Sequence, residues 1–323
     1  MLLNLCLLVG GCILLYLGAT WLVRGASEIA LVLKIPKAIV GLSFVALGTS
    51  APELIVNLNA AYRGETGFAL TNVSGSNLTN LLVGFGLCGI ISGLLIHWRT
   101  FRYDLSALVL SAALPVLIML LYGGSPQLPL WSVLPLGAGL LAYLWTLKRR
   151  SKDLEAAEAD TKPHRHPGIS FAVFFLGAFT LYGGGRLVLD AAIRIAAEFE
   201  IDTSLVGLTI VAAGTSIPDA IASIVAARRG EHDLAVGNLL GSNIANVLIV
   251  ITGTLLASWV GNNATMIDGK NSLIVFDYII IAVLSLTFFA IAVRWGRITR
   301  SGGTLMVATY LCYMGLRIYF GFQ

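Results

Sequence analysis

Charge is what this chain has least of. Only 12% of its 323 residues are Asp, Glu, Lys or Arg, against 57% apolar ones, where soluble domains carry about 25% charged residues. That balance excludes an ordinary soluble fold, because a 34.3 kDa chain has too small an interior to bury so much apolar surface. Residues 1–23 hold no charge at all, and the first cation is Arg24. A cleavable signal would begin with basic residues, so this stretch reads as a first spanning helix. Histidine and cysteine are scarce too. The four histidines (His97, His164, His166, His232) fall in expected loops, where solvation is the default, and the four cysteines (Cys6, Cys12, Cys88, Cys312) fall in apolar segments. Their spacing fits neither a disulfide framework nor a metal site. The net charge of +4 comes from loop cations. It reports membrane topology and gives no sign of nucleic-acid binding.

What is present is a succession of apolar runs, each near the roughly 20 residues needed to cross a bilayer. They predict an all-α polytopic membrane protein with ten transmembrane helices, over 2–23, 38–62, 67–95, 104–122, 129–147, 168–190, 204–227, 233–259, 273–293 and 303–320. The one long polar stretch, 148–167, divides the chain into two five-helix units, 1–147 and 168–323. Loops after odd-numbered spans hold 16 of the 21 cations. By the positive-inside rule this puts the central linker in the cytoplasm and both termini outside. Five is odd, so the second unit must enter the membrane from the opposite side. The chain is therefore expected to be two inverted-topology repeats, the arrangement by which transporters build one site open to either face in turn.

The halves also share sequence. Residues 41–80 and 207–246 align without a gap at an offset of 166, with 20 of 40 positions identical. Tyr16 and Tyr182 stand at the same offset, which extends the duplication to the first and sixth spans. Each copy places a carboxylate, Glu53 or Asp219, inside an apolar stretch as part of Gly-Thr-Ser-x-Pro-Glu/Asp. An acid at mid-bilayer costs about 2.5–3.5 kcal/mol on insertion scales, and no cation lies in the same stripes to offset it. Proline removes a backbone donor and crowds the carbonyl four residues back. Both helices are thus expected to break at mid-membrane, at Gly48 and Gly214, where irregular backbone survives only if buried or lining a cavity.

Ala46, Thr49, Ser50 and Glu53 share one helical stripe, and Ala212, Thr215, Ser216 and Asp219 repeat it. On the next span Asn72, Ser76 and Asn80 recur every four residues, as do Asn238, Ser242 and Asn246. Gathered together, these segments offer two carboxylates, hydroxyls, amide oxygens and freed carbonyls. Such an all-oxygen set suits hard cations such as Ca²⁺ and Na⁺. Zinc or copper would call for imidazole or thiolate.

The paired GTSAPE/GTSIPD and GSNLTN/GSNIAN segments resemble the α-repeats of the sodium/calcium exchanger family, within the cation/calcium antiporters, over nearly the whole chain. The resemblance implies a metal site made by Glu53 and Asp219, the carbonyls of Thr49, Thr215, Ala46 and Ala212, the hydroxyls of Ser50, Ser216, Ser76 and Ser242, and the amides of Asn80 and Asn246. Two positions depart from a common prokaryotic pattern, Asp219 where Glu is frequent and Asn246 where Asp is frequent. By analogy Asn246 points to a potassium-independent exchanger. Gly237-Asn238 is followed by two leucines, unlike the GNAxE-type signature of the proton/calcium branch.

These readings predict a secondary antiporter, not an enzyme, exchanging Na⁺ for Ca²⁺ by alternating access. The two ions compete at Glu53 and Asp219, Ca²⁺ and Na⁺ are cargo, and no cofactor is implied. The first and sixth spans, with few anchoring charges, are expected to slide against the rest. The alternative within this fold is H⁺ or K⁺ coupling, or Mg²⁺ in place of Ca²⁺. An intramembrane hydrolase at Ser50 and Ser216 lacks a buried base, and in a passive channel so tight a two-carboxylate site would hold Ca²⁺ too strongly for fast conduction. The compact linker points to a prokaryotic inner membrane. Arg63-Gly64-Glu65 and Arg229-Gly230-Glu231 read as turns, and Arg186 and Asp190 are expected to pair.

Overall fold

The computed structural model describes residues 2–154, 166–199, 214–269 and 273–321. It is helical almost throughout. The first half comprises α1 (Leu2–Leu33), α2 (Lys37–Val40), α3 (Ala46–Tyr62), α4 (Thr66–Leu78), α5 (Phe85–Ser92), α6 (Trp98–Leu121) and α7 (Val133–Leu154). The second comprises α8 (Pro167–Glu198), α9 (Ile217–Arg228), α10 (His232–Ala245), α11 (Thr252–Asn262), α12 (Leu273–Arg294) and α13 (Arg300–Gly321). Among the described residues, three wide, π-helical turns fuse neighbouring helices into single rods, Gly41–Val45 between α2 and α3, Thr79–Gly84 between α4 and α5, and Asn246–Ile251 between α10 and α11.

Among the described residues, eight helices are long and apolar enough to cross a membrane. Of the ten expected spans, 204–227 is described only from residue 214 on, and α13 falls below the others in hydropathy because it carries Arg317, three tyrosines and four glycines. The helix expected to end at 147 runs on to Leu154. It does so because Arg150, expected in the polar linker, is buried and ion-paired to Asp104. The rest of the linker, 155–165, lies outside the described residues.

The helical expectation misses four short strands. β1 (Leu94–Leu95) pairs antiparallel with β4 (Arg297–Ile298), and β2 (Gln127–Pro129) with β3 (Met266–Asp268). Each ribbon joins a turn of one half to a turn of the other. β1 and β3 follow the α4–α5 and α10–α11 rods, and β2 and β4 follow the helices after them, so the halves exchange partners reciprocally.

α1 and α8 pack along most of their length. Glycines set the spacing. A Cβ on Gly184 would stand 2.7 Å from Leu15 N, and one on Gly25 would stand 2.6 Å from Phe174 N, so backbones touch where membrane helices favour small residues. A second close approach positions the centre of the molecule. A Cβ on Gly241 of α10 would lie 2.7 Å from both Leu42 O and Ala46 Cβ. This presses the second motif of one half onto the first motif of the other. The Arg-Gly-Glu segments are turns as expected, with Gly64 at φ +82° and Gly230 at φ +76°, the left-handed region glycine enters freely. Glu231 receives the Lys37 ammonium at 2.7 Å.

Candidate functional site

Both carboxylates lie in the protein's interior, Glu53 at 1% and Asp219 at 0% exposure. No ion pair among the described residues involves either of them. The GTS segments and the GSN segments interlock across the halves. Thr49 Oγ1 is 3.0 Å from Asn238 Oδ1, and Thr215 Oγ1 is 3.2 Å from Asn72 Oδ1. Each of these asparagines then donates back within its own half, Asn72 to Asn57 Oδ1 and Asn238 to Ser223 Oγ, both at 2.9 Å. Ser76 Oγ lies 3.3 Å from Thr215 Oγ1. The four segments thus converge as expected, and of the twelve expected site residues only Ala212 lies outside the described ones.

The two acids differ in their surroundings. Asp219 receives Asn80 Nδ2 at 2.8 Å and Ser242 Oγ at 3.2 Å. It also occupies the first turn of α9, where the exposed amide ends of a helix favour negative charge. Glu53 stands mid-helix in α3, and neither of its oxygens has a hydrogen-bond partner. The residues matching Asp219's donors are engaged elsewhere, since Asn246 donates to Asn77 Oδ1 at 3.0 Å and Ser76 faces Thr215.

The backbone explains part of that difference and corrects the expected break in both helices. In the second half the chain does turn at Thr215–Ser216, and α9 starts afresh at Ile217 with Pro218 in its first turn. In the first half α3 runs unbroken through Pro52. One missing amide hydrogen bond is tolerated there because packed neighbours hold the helix. Pro52, Pro218, Gly214 and Thr215 border a small cavity of about 20 Å³ with Tyr182 and Arg186 of α8. Arg186 forms no ion pair with Asp190, which overturns the expected pairing.

On the expected site residues, six buried oxygens have no partner, namely Ser50 Oγ, Glu53 Oε1 and Oε2, Asn80 Oδ1, Ser216 Oγ and Asn246 Oδ1, and Asn243 Oδ1 nearby is a seventh. Buried lone pairs are rarely left unmatched, and a set made only of oxygen suits a hard cation.

Sequence reasoning missed two groups. Asn57, Asn77 and Asn243 carry the network that orients the site. The signal was available, since the Asn of each Gly-Ser-Asn is identical in both copies. The second group is a pair of buried clamps. Asp104 takes Arg150 at 2.7 Å and Tyr143 at 3.3 Å, while Asp277 takes Arg317 at 2.9 Å and Tyr313 at 2.8 Å. Each acid is more than thirty residues from its arginine, so no local pattern announces it. The wide turns at Thr79–Gly84 and Asn246–Ile251 sit at matched positions and carry Asn80 and Asn246. Such turns recur at functional sites but have no sequence signature.

Comparison with known proteins agrees with this architecture. The inner membrane protein YrbG of Escherichia coli (strain K12) is 30% identical, with 98% of this chain and 97% of the relative aligned. The sodium/calcium exchanger MaX1 of Methanosarcina acetivorans is 25% identical over 98% of this chain and 99% of its own length. A solved structure of the sodium-calcium exchanger NCX_Mj superposes with a TM-score of 0.81 at 25% identity, covering 97% of this chain and 98% of that one. The model of the sodium/calcium exchanger protein family matches residues 3–147 and 169–319, spanning both halves. The chain is thus an integral membrane protein that belongs to the sodium/calcium exchanger protein family, a family of cation antiporters.

Proposed function

We propose that this protein exchanges Na⁺ for Ca²⁺ across a prokaryotic inner membrane by alternating access, with both ions competing for one central site. The observation that carries this reading is Glu53, a buried carboxylate with no partner, beside Asp219 and four further unpartnered oxygens. The two acids balance one Ca²⁺, and the surrounding hydroxyls and amides supply neutral ligands. Ala46, Thr49, Ser50, Glu53, Ser76 and Asn80 hold the ions from one half, and Ala212, Thr215, Ser216, Asp219, Ser242 and Asn246 from the other. Two relatives carry sodium/calcium exchange in their names, MaX1 and NCX_Mj, which supports the choice of ions.

The ten spans form two inverted units, 1–147 and 168–323, joined by a cytoplasmic linker at 148–167, with both termini outside. The reciprocal β1–β4 and β2–β3 ribbons support the inversion, because each pairs non-equivalent turns of the two halves. α1 and α8 slide as one unit over the remaining helices. Their backbone contact at Gly184 and Gly25 supports that pairing.

The test is ⁴⁵Ca²⁺ uptake into proteoliposomes loaded with Na⁺ and diluted into choline, K⁺ or Na⁺ medium. Uptake into choline and K⁺ media but not into Na⁺ medium is the expected result. Uptake driven by a pH gradient without Na⁺ would move the coupling to protons and refute Na⁺ exchange.

A further inference from the structure

The membrane-facing side of the second half is not evenly packed. Between α12 and α13 runs a deep apolar groove, made of two cavities of about 470 and 340 Å³ that share Leu82, Leu284 and Thr309. It extends from Trp295 and Arg297 at one end to Leu273 and Arg317 at the other. A helix of this length rises about 1.5 Å per residue, so the groove crosses the hydrocarbon layer. The two helices pack chiefly against α6 and α5 respectively and meet each other around Asp277, Tyr313 and Arg317, which leaves the space between them open.

Its ends differ in charge. Arg317 is taken by Asp277 at 2.9 Å. At the opposite end Arg294, Arg297 and Arg300 cluster within seven residues, and among the described residues none has an acidic side chain within ion-pair distance. Trp295 beside them is exposed, as tryptophans at a membrane–water boundary are. Trp295 and Arg297 line the larger cavity at this basic end.

We propose that the groove binds an anionic phospholipid, its acyl chain lying along Leu284, Phe288, Leu305 and Met306 and its phosphate held by Arg297 with Arg294 and Arg300. Basic pockets between membrane helices hold anionic headgroups in this way. A zwitterionic lipid fills the same apolar space but leaves the arginines without a net counter-charge. The floor of the groove ties it to the ion site. Leu81 and Leu82 directly follow Asn80 in the wide turn Thr79–Gly84, and Thr79 meets Tyr310 of α13 at 3.0 Å. A chain seated on Leu81 and Leu82 therefore presses on the turn that presents Asn80 to Asp219.

The experiment is native mass spectrometry of the purified full chain, equilibrated in mild detergent with equal amounts of phosphatidylglycerol and phosphatidylcholine. The intact protein is expected to retain phosphatidylglycerol in roughly tenfold preference. Arg294→Gln, Arg297→Gln and Arg300→Gln together should abolish the preference, and Leu284→Trp should reduce retention of both lipids. The three arginines are exposed, so their replacement leaves the fold intact, as an unchanged elution volume would verify. Equal retention of the two lipids by the unaltered protein, or a preference that survives loss of the three arginines, overturns the proposal. Both readouts are independent of which ions are transported.

Discussion

Replacing Glu53 by Gln separates a site residue from a structural one more cleanly than any other single change here. The side chain is buried, and among the described residues it has no hydrogen-bond partner and no counter-ion. Removing its charge deletes no contact within the ion-free protein. It also relieves an insertion cost of about 2.5–3.5 kcal/mol, so the ion-free variant should melt no lower than the parent. For Ca²⁺ the balance reverses. Losing one of two buried carboxylates facing a divalent ion costs about 3–5 kcal/mol, the scale for breaking a buried charge pair, which is about 10²–10³-fold or more in affinity. The variant should therefore insert, purify and melt normally yet show no ⁴⁵Ca²⁺ uptake at concentrations that saturate the parent. Asp219→Asn serves as the contrast. The carboxylate it replaces accepts from Asn80 and Ser242, and the new amide can accept only one of those bonds and turns a donor toward the other. It should lose uptake and also lose about 1–3 kcal/mol of stability. Retained uptake in Glu53→Gln would remove Glu53 from the site. A marked drop in its ion-free melting temperature would show that Glu53 has a structural partner, and the reasoning from its unpartnered oxygens would fail.

Three further outcomes follow from the same geometry. If more than two Na⁺ replace one Ca²⁺, each cycle moves net charge, so uptake should speed up or slow down when the potential across the vesicle is reversed; equal rates at opposite potentials would count against this. Arg150→Met leaves Asp104 buried without its guanidinium and should destabilise by about 3–5 kcal/mol, whereas pairing it with Asp104→Leu should recover most of that loss, as read by thermal melting of the single and double variants. Gly184→Leu forces a side chain against the Leu15 backbone, 2.7 Å from where its Cβ would start; it should separate α1 from α8 and abolish exchange, and full activity would show that their close contact is not required.

The duplicated motifs determined most of this protein on their own. Local chemistry accounts for that. A carboxylate in an apolar run, a proline three residues after Thr and an Asn–Ser–Asn series at helical spacing are each readable from neighbours in sequence. The same local rules found the spanning helices but not all their ends, since the first runs on to Leu33 and the sixth to Glu198, about ten and eight residues past the expected limits. They failed where the deciding partner is remote. Pro52 and Pro218 stand in nearly identical sequences, yet the chain turns afresh before one and runs straight through the other. Backbone strain is settled by what packs around it, which the motif does not contain. Arg150 and Arg317 look like boundary cations until Asp104 and Asp277 are brought beside them from other helices. Most of all, the sequence presents Glu53 and Asp219 as equivalents. Only the tertiary structure makes one a satisfied acid at a helix start and the other an unpartnered acid in mid-helix. The reason is that hydrogen bonds to a buried carboxylate come from whichever donors the packing of distant segments leaves uncommitted.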